Sequence, residues 1–311
     1  MSAFDCICVG LNTVDVIARV PGWLREDEKI RAERIVVDGG GPAGTCACVL
    51  GRSGLKTGLL SFIGDDPLAG FVLKQFSEYR VSPRFLIRVP GAANPVSMIL
   101  VNAKNASRTI VWNPQGITDR KVSFAKLSRM GIFDTRSLHF DGHLMALSIS
   151  LARAARKKKI FTSYDCGTLR KGWETLASLS DVFIASHKFA RQLGLAVPRA
   201  VRWLRDKFGF QAAVTDGEKG FHYFDEASRE VRFAAQRRYR AMDTTGCGDV
   251  FHGAFLAAYL RGSSFADSLV FAQRVAGEKA VHMGGRAGIP ARAIVTQAAI
   301  SAAPTQRRRS P

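Results

Sequence analysis

The residues best suited to chemistry form one run, Asp243-Thr244-Thr245-Gly246-Cys247-Gly248-Asp249, continued by Val250-Phe251-His252-Gly253-Ala254-Phe255. A Gly-x-Gly turn ahead of an apolar helical pattern predicts a helix beginning at about Gly248. Glycines let the backbone approach a ligand without Cβ clashes. Outward amides of Gly246, Cys247 and Gly248, backed by the positive end of a helix, make an anion site suited to a phosphoryl group. Asp249 falls in the first turn beside that site, where a carboxylate can accept a hydroxyl proton. An Asp at this place also caps a helix, so the Gly-x-Gly-Asp pattern alone leaves both roles open.

A second glycine-rich segment, Gly39-Gly40-Gly41-Pro42-Ala43-Gly44-Thr45, precedes a helix over 43–51. Pro42 suits a helix start, where its missing N–H is not needed. The small residues that follow let the helix pack closely on a sheet. Cys6, Cys8, Cys46, Cys48, Cys166 and Cys247 lack zinc-ligand spacing, and in apolar surroundings they read as small buried hydrophobes. Such thiols fit a reducing compartment.

The elements that must position these residues alternate. Strands are expected at 4–10, 14–20, 30–37, 55–63, 137–140, 160–164, 182–185 and 212–215. Helices are expected at 67–79, 148–159, 198–208, 248–260 and 265–283, and a strand-like approach at 237–242. Residues 95–101 and 108–112 read as a hairpin with its tip at 103–106. This order predicts an α/β fold, a mostly parallel central sheet with helices on both faces. Segments 14–37 and 93–113 form a separate small β-sheet lid, leaving 1–13, 38–92 and 114–301 as the core. Residues 302–311 read as a flexible basic tail.

The chain has 311 residues, 47% of them hydrophobic, which excludes a disordered class. With 45 Lys and Arg against 26 Asp and Glu, the formal charge is +19. That excess suggests an anionic partner: nucleic acid, an acidic membrane face or a phosphorylated small molecule. Signal-like and membrane-length apolar stretches are not evident, which predicts a cytoplasmic protein without a membrane partner.

The run 243–255 resembles the second signature of the ribokinase-like (PfkB) carbohydrate kinases, D-T-x-G-A-G-D-x-F-x-G-A, with Cys247 replacing Ala. Residues 39–45 resemble that family's first signature, with Thr45 where many members carry Asn. Val9-Gly10 followed by Asp15 is similar to the opening strand, and Gly64-Asp65-Asp66 to its G-D-D. Thr215-Asp216-Gly217-Glu218-Lys219-Gly220 is similar to the T-x-G-x-x-G nucleotide loop. The matches fall in family order from residue 5 to about 290.

The resemblance implies a ribokinase-like fold in which ATP phosphorylates a primary hydroxyl of a sugar, Asp249 acting as general base. It implies that Asp15, Gly40, Gly41 and Thr45 hold the sugar, and that Ser186, Thr215, Gly217 and Gly220 meet the nucleotide. Mg²⁺ would bridge the phosphates, K⁺ would map to Asp243 and Thr245, and the lid would pair two subunits as a homodimer. One departure stands out: the family's N-x-x-E falls at Ser186-His187-Lys188-Phe189, with Asp165 a nearby carboxylate. Within the family the motifs look most similar to bacterial sulfofructose kinases. Their sulfonate contacts map to Lys29 and Asn113, and the third, an Arg there, to His143. The sugar is thus a ketose or a related, sulfofructose-like acidic sugar.

Alternative readings are a nucleoside kinase of the same family, a non-catalytic sugar or nucleotide binder, and a nucleic-acid binder. The last is motivated by 153–159 and Arg307-Arg308-Arg309, yet basic residues at a helix C-terminus also suit its dipole, and no zinc-finger or helix-turn-helix pattern supports it. The remaining histidines, His139, His187, His222, His252 and His282, show no metal spacing and read as structural.

Overall fold

The computed structural model describes residues 2–116 and 120–290. The expected tail at 302–311 lies outside the described residues, as does the end of the expected core, 291–301. The chain opens with β1 (Cys6–Val9), β2 (Thr13–Val20), β3 (Arg34–Gly40), α1 (Pro42–Arg52), β4 (Thr57–Ile63) and α2 (Leu68–Glu78). Next come β5 (Val81–Ser82), β6 (Leu86–Arg88), β7 (Val96–Asn102), β8 (Arg108–Asn113), α3 (Phe124–Arg129) and β9 (Ser137–Phe140). The middle holds α4 (Met145–Lys157), β10 (Phe161–Cys166), α5 (Trp173–Ala177), β11 (Val182–Ser186), α6 (His187–Gln192) and α7 (Val197–Phe208). It closes with β12 (Gln211–Thr215), β13 (Gly220–Asp225), β14 (Glu230–Ala235), α8 (Cys247–Tyr259) and α9 (Phe265–Ala280).

The large sheet runs β14-β13-β12-β11-β10-β9-β1-β4-β5, with β6 paired to β4. It is parallel from β12 through β5 and ends in the antiparallel β13–β14 hairpin. Alternation along a strand divides its core. Cys6 and Cys8 join one buried cluster with α1, α8 and α9, whereas Ile7 and Val9 join the other with α4 to α7. The thiols work as small fillers there: Cys8 Sγ lies 3.8 Å from Cys46 Sγ, no cysteine of the described residues is bridged, and burial pushes Cys46 and Cys48 to about 11.

The separate small sheet runs β3-β2-β7-β8. One face carries Ile17 and Ile99, buried with Met283 of the core. The opposite face carries Val16, Val37, Met98 and Val111 as one row across all four strands.

Several expected elements shift. The strand expected at 30–37 starts at Arg34 and runs on through Gly40, because Gly39 and Gly40 pair with Val14 and Thr13. Ladder pairing overrides the poor strand propensity of glycine. The approach at 237–242 is irregular; the Met242 and Asp243 amides bond the Ala280 carbonyl at 2.7 and 3.1 Å. Helix α4 occupies Met145–Lys157 in place of 148–159. The β13–β14 hairpin and the short α3, α5 and α6 were not anticipated.

Candidate active site

Helix α8 begins at Cys247, capped by Gly246 at φ 74 with no side-chain cap. A Cβ on Gly246 would also meet the Gly285 carbonyl at 3.0 Å, so space as well as conformation favours glycine here. Buried Asp243 anchors the turn, accepting from the Thr245 amide at 2.8 Å and the Gly284 amide at 2.9 Å. Val250 N–H closes the first helical turn on the Gly246 carbonyl at 2.9 Å. First-turn amides have no carbonyl one turn earlier within the helix, so an uncapped start of this kind attracts anions. One expectation is corrected: Cys247 N–H donates to the Thr244 carbonyl at 3.3 Å, closing the turn and making it a weaker anion donor than its neighbours.

Asp249 stands in that first turn, partly exposed. Restricted solvation and the nearby Asp165 carboxylate push its carboxyl up to about 7, against the pull of His252 and Arg108. His252, one turn further along α8, holds Asp165 with Nε2 to Oδ1 at 3.1 Å. Its ring lies 5.7 Å from that of His139, which burial pushes down to about 4. His252, a buried residue of α8, thus also belongs to the surroundings of Asp249. From the small sheet, the Arg108 guanidinium donates to Thr244 Oγ1 at 2.8 Å, and that hydroxyl donates to the Ala106 carbonyl at 3.1 Å.

The first glycine-rich segment meets β2 beside this turn. Asp15 is buried, accepts from Thr13 Oγ1 at 2.7 Å, and has its pKa raised by burial. A Cβ on Gly40 would sit 2.0 Å from Asp15 Oδ2, so only glycine fits. Gly41, at φ 81, starts α1. Thr45 is fully buried, and its Oγ1 has no hydrogen-bond partner.

Two residues to which the sequence alone assigns no role fix this segment. Asp141 accepts from the amides of Leu11 at 2.8 Å, Ala43 at 3.1 Å and His143 at 2.9 Å, tying β1, α1 and the end of β9 together. Burial opposes its charge, yet His143 and these amides outweigh it and hold the carboxyl below its ordinary value. Arg286 is fully buried, donates to Asn12 Oδ1 at 2.7 Å, Gly40 O at 2.6 Å and Gln75 Oε1 at 3.0 Å, and lies over the Phe76 ring.

Two of the three expected anion contacts, His143 and Asn113, lie by the end of β8. His143 Nε2 lies 2.9 Å from an Arg170 amino group, and its ring packs 6.1 Å from that of Trp112, next to Asn113 at the end of β8. The Asn113 side chain accepts from the Gln115 amide at 2.8 Å. Lys29 is exposed in the β2–β3 connection.

Ser186 and Thr215 are register partners at the ends of β11 and β12, where open parallel sheets bind ligands. The Ser186 hydroxyl caps α6, accepting from the amides of Lys188 at 3.1 Å and Phe189 at 3.4 Å, and donates to the Gly167 carbonyl at 2.7 Å. Phe189 is fully buried against Trp173 and Phe183. The departure at 186–189 therefore exchanges polar anchors for a helix cap and a core aromatic. Gly217 has φ 58 in a short turn, and a Cβ on Gly220 would meet the Ala234 carbonyl at 2.0 Å.

A model of the pfkB family carbohydrate kinases matches residues 3–292. The chain belongs to that family. This pfkB kinase is a phosphotransferase with an alcohol group as acceptor, acting within the family's range of sugars and nucleosides. It is 24% identical over 290 residues to ketohexokinase of Mus musculus, covering 90% of this chain and 97% of the mouse protein. It is 23% identical over 292 residues to ribokinase of Haemophilus influenzae, covering 91% and 94%. The fold matches Giardia lamblia ribokinase at TM-score 0.82 and 17% identity, covering 96% of this chain and 99% of that one. It also matches Arabidopsis thaliana ribokinase, solved with ribose and ATP, at TM-score 0.80 and 18% identity over 94% and 98%. Among the described residues of the pfkB kinase no helix is long and apolar enough to cross a membrane.

Proposed function

We propose that this kinase transfers the γ-phosphoryl group of ATP to a primary hydroxyl of a ketose or a related, acidic sugar. The observation that carries the reading is Asp249, a carboxyl pushed to about 7 in the first turn of an uncapped, anion-attracting helix. A base with that value removes a hydroxyl proton near neutral pH, while the turn of Gly246, Cys247 and Gly248 meets charge on the phosphoryl group. ATP as donor is supported by the likeness to the ATP-bound Arabidopsis enzyme and by the Thr215, Gly217 and Gly220 loop.

Asp15, Gly40, Gly41 and Thr45 hold the sugar, the unpartnered Thr45 hydroxyl being a ready donor. An acidic substituent suits the end marked by His143, Arg170 and Asn113, with the exposed Lys29 as a further cation for it. Ser186 already caps α6, so it meets the nucleotide through its backbone. The described residues contain no group of three metal-ligating side chains, so the phosphates of ATP, with at most one or two carboxylates, would hold Mg²⁺. Mg²⁺ enters as the counter-ion of ATP, part of the substrate.

The apolar outer row of the small sheet, with Val37 54%, Met98 62% and Val111 68% exposed, supports pairing of two lids as a homodimer. The α/β core, 1–13, 38–92 and 114–301 with its last residues outside those described, divides from the sugar-covering lid, 14–37 and 93–113, which β3 extends through Gly40.

A coupled ADP assay over ketohexoses, pentoses, keto-deoxy acids, sulfofructose and nucleosides tests the reading. Turnover on a ketose or acidic sugar supports it. Preference for nucleosides replaces the substrate class, and nucleotide binding without turnover on any acceptor overturns it.

A further inference from the structure

Lys279, in the last turn of α9, is fully buried. Among the described residues it forms no ion pair with any carboxylate. Its Nζ donates instead to the main-chain carbonyl of Asp243, at 3.0 Å. Burying an ammonium group is unfavourable unless its surroundings are arranged for a cation. Here they are.

The helix end contributes negative potential, and two further segments close around it. The turn before α8 contributes the Asp243 carbonyl; the loop after α9 touches both, its Gly284 amide on Asp243 Oδ2 at 2.9 Å. A Cβ on Gly288 of that loop would lie 3.3 Å from Lys279 Cγ.

The resemblance maps K⁺ to Asp243 and Thr245, and these residues do not fit such an ion beside Lys279. Both Asp243 carboxylate oxygens already accept backbone amides, and its carbonyl accepts the ammonium. Buried Thr245 Oγ1 is left without a partner, but one hydroxyl is not a coordination shell for an alkali cation. A second positive charge at this place would also be repelled by the first.

We propose that the Lys279 ammonium is a built-in monovalent cation. It sits on the main-chain carbonyl of buried Asp243 and holds the turn that begins α8, so the protein needs no K⁺ there. The consequence for catalysis rests on the kinase reading; the consequence for stability does not.

The full chain is unfolded thermally, and assayed for sugar-dependent ADP release, in potassium chloride and in tetramethylammonium chloride of equal ionic strength. The expected wild-type result is one Tm and one rate in both salts. A wild-type Tm that climbs with K⁺ concentration, as linkage requires of a bound ion, overturns the proposal. Lys279→Ala is expected to have a lower Tm that K⁺, and not tetramethylammonium, restores. A folded Lys279→Ala protein indifferent to K⁺ also overturns it, and should that variant not fold, the wild-type arm decides. Absence of turnover on every acceptor removes the kinase reading and leaves the thermal result standing.

Discussion

The Arg108 guanidinium of the small sheet donates to Thr244 of the turn before α8 at 2.8 Å, across 136 residues of sequence. The same hydroxyl donates to the Ala106 carbonyl, so the β7–β8 hairpin and the turn before α8 grip each other. Arg108→Ala is expected to lower kcat/KM about tenfold, the effect of losing one charge-assisted hydrogen bond, with little change in Tm. Steady-state kinetics and thermal unfolding measure both, and an unchanged kcat/KM would show that the contact has no part in turnover.

Asp249 carries a trade between stability and chemistry. Asp249→Asn is expected to lower kcat by about 10²–10⁴. The folded-state carboxyl is held near 7 against an ordinary 3.8, so the wild type bears a penalty that is absent below about pH 4 and complete above about pH 7. The Asn variant should therefore gain about 2 kcal/mol at pH 8 and nothing at pH 4, the full linkage value being reduced for partial exposure. Denaturant titrations at the two pH values test this. For the wild type, kcat/KM should rise with pH through a midpoint near 7.

Asp165 raises the Asp249 carboxyl by repulsion. Asp165→Asn removes that charge, and the acidic limb of kcat/KM should move to lower pH. A limb that stays in place or moves up contradicts the electrostatic account. Thermal unfolding of the same variant separates this effect from loss of the His252 contact.

Arg286 holds three neutral acceptors, on Asn12, Gly40 and Gln75, at one buried point. Arg286→Met leaves all three without that donor and is expected to destabilise the protein by about 3 kcal/mol. Because Gly40 lies against Asp15, KM for the sugar should rise more than kcat falls. A purely structural Arg286 would lower Tm and leave KM alone.

The outer row Val37, Val16, Met98 and Val111 crosses the whole small sheet. Met98→Glu places a charge at its middle, and sedimentation velocity should show a wild-type dimer converted to monomer. A monomeric wild type at micromolar concentration would remove the lid-pairing reading.

The sequence by itself determined the α8 turn, the glycine-rich start of α1, the α/β alternation and the existence of a small separate sheet. These are written in local patterns: glycines at positive φ or close approach, a first-turn Asp, and strands whose successive residues face opposite layers. The +19 charge did not by itself separate a nucleic acid, an acidic membrane face and a phosphorylated small molecule as partner. The proposed phosphoryl site is built largely from backbone amides and a helix end, which add no formal charge.

Tertiary structure alone decided which distant side chains meet that local frame. Arg286 reaches Asn12 across 274 residues, Asp141 reaches Leu11 across 130, and Lys279 meets Asp243 across 36. Periodicity says which face a residue occupies, not which residue of another element stands opposite. His252 and Lys279 sit in ordinary helical patterns, so nothing local distinguishes them from packing residues. Ser186 shows the converse: its position matched a nucleotide anchor, yet its hydroxyl caps the next helix. Strand order and helix packing assign those partners, because a side chain's charge and hydrogen bonds take their meaning from what the fold places within reach.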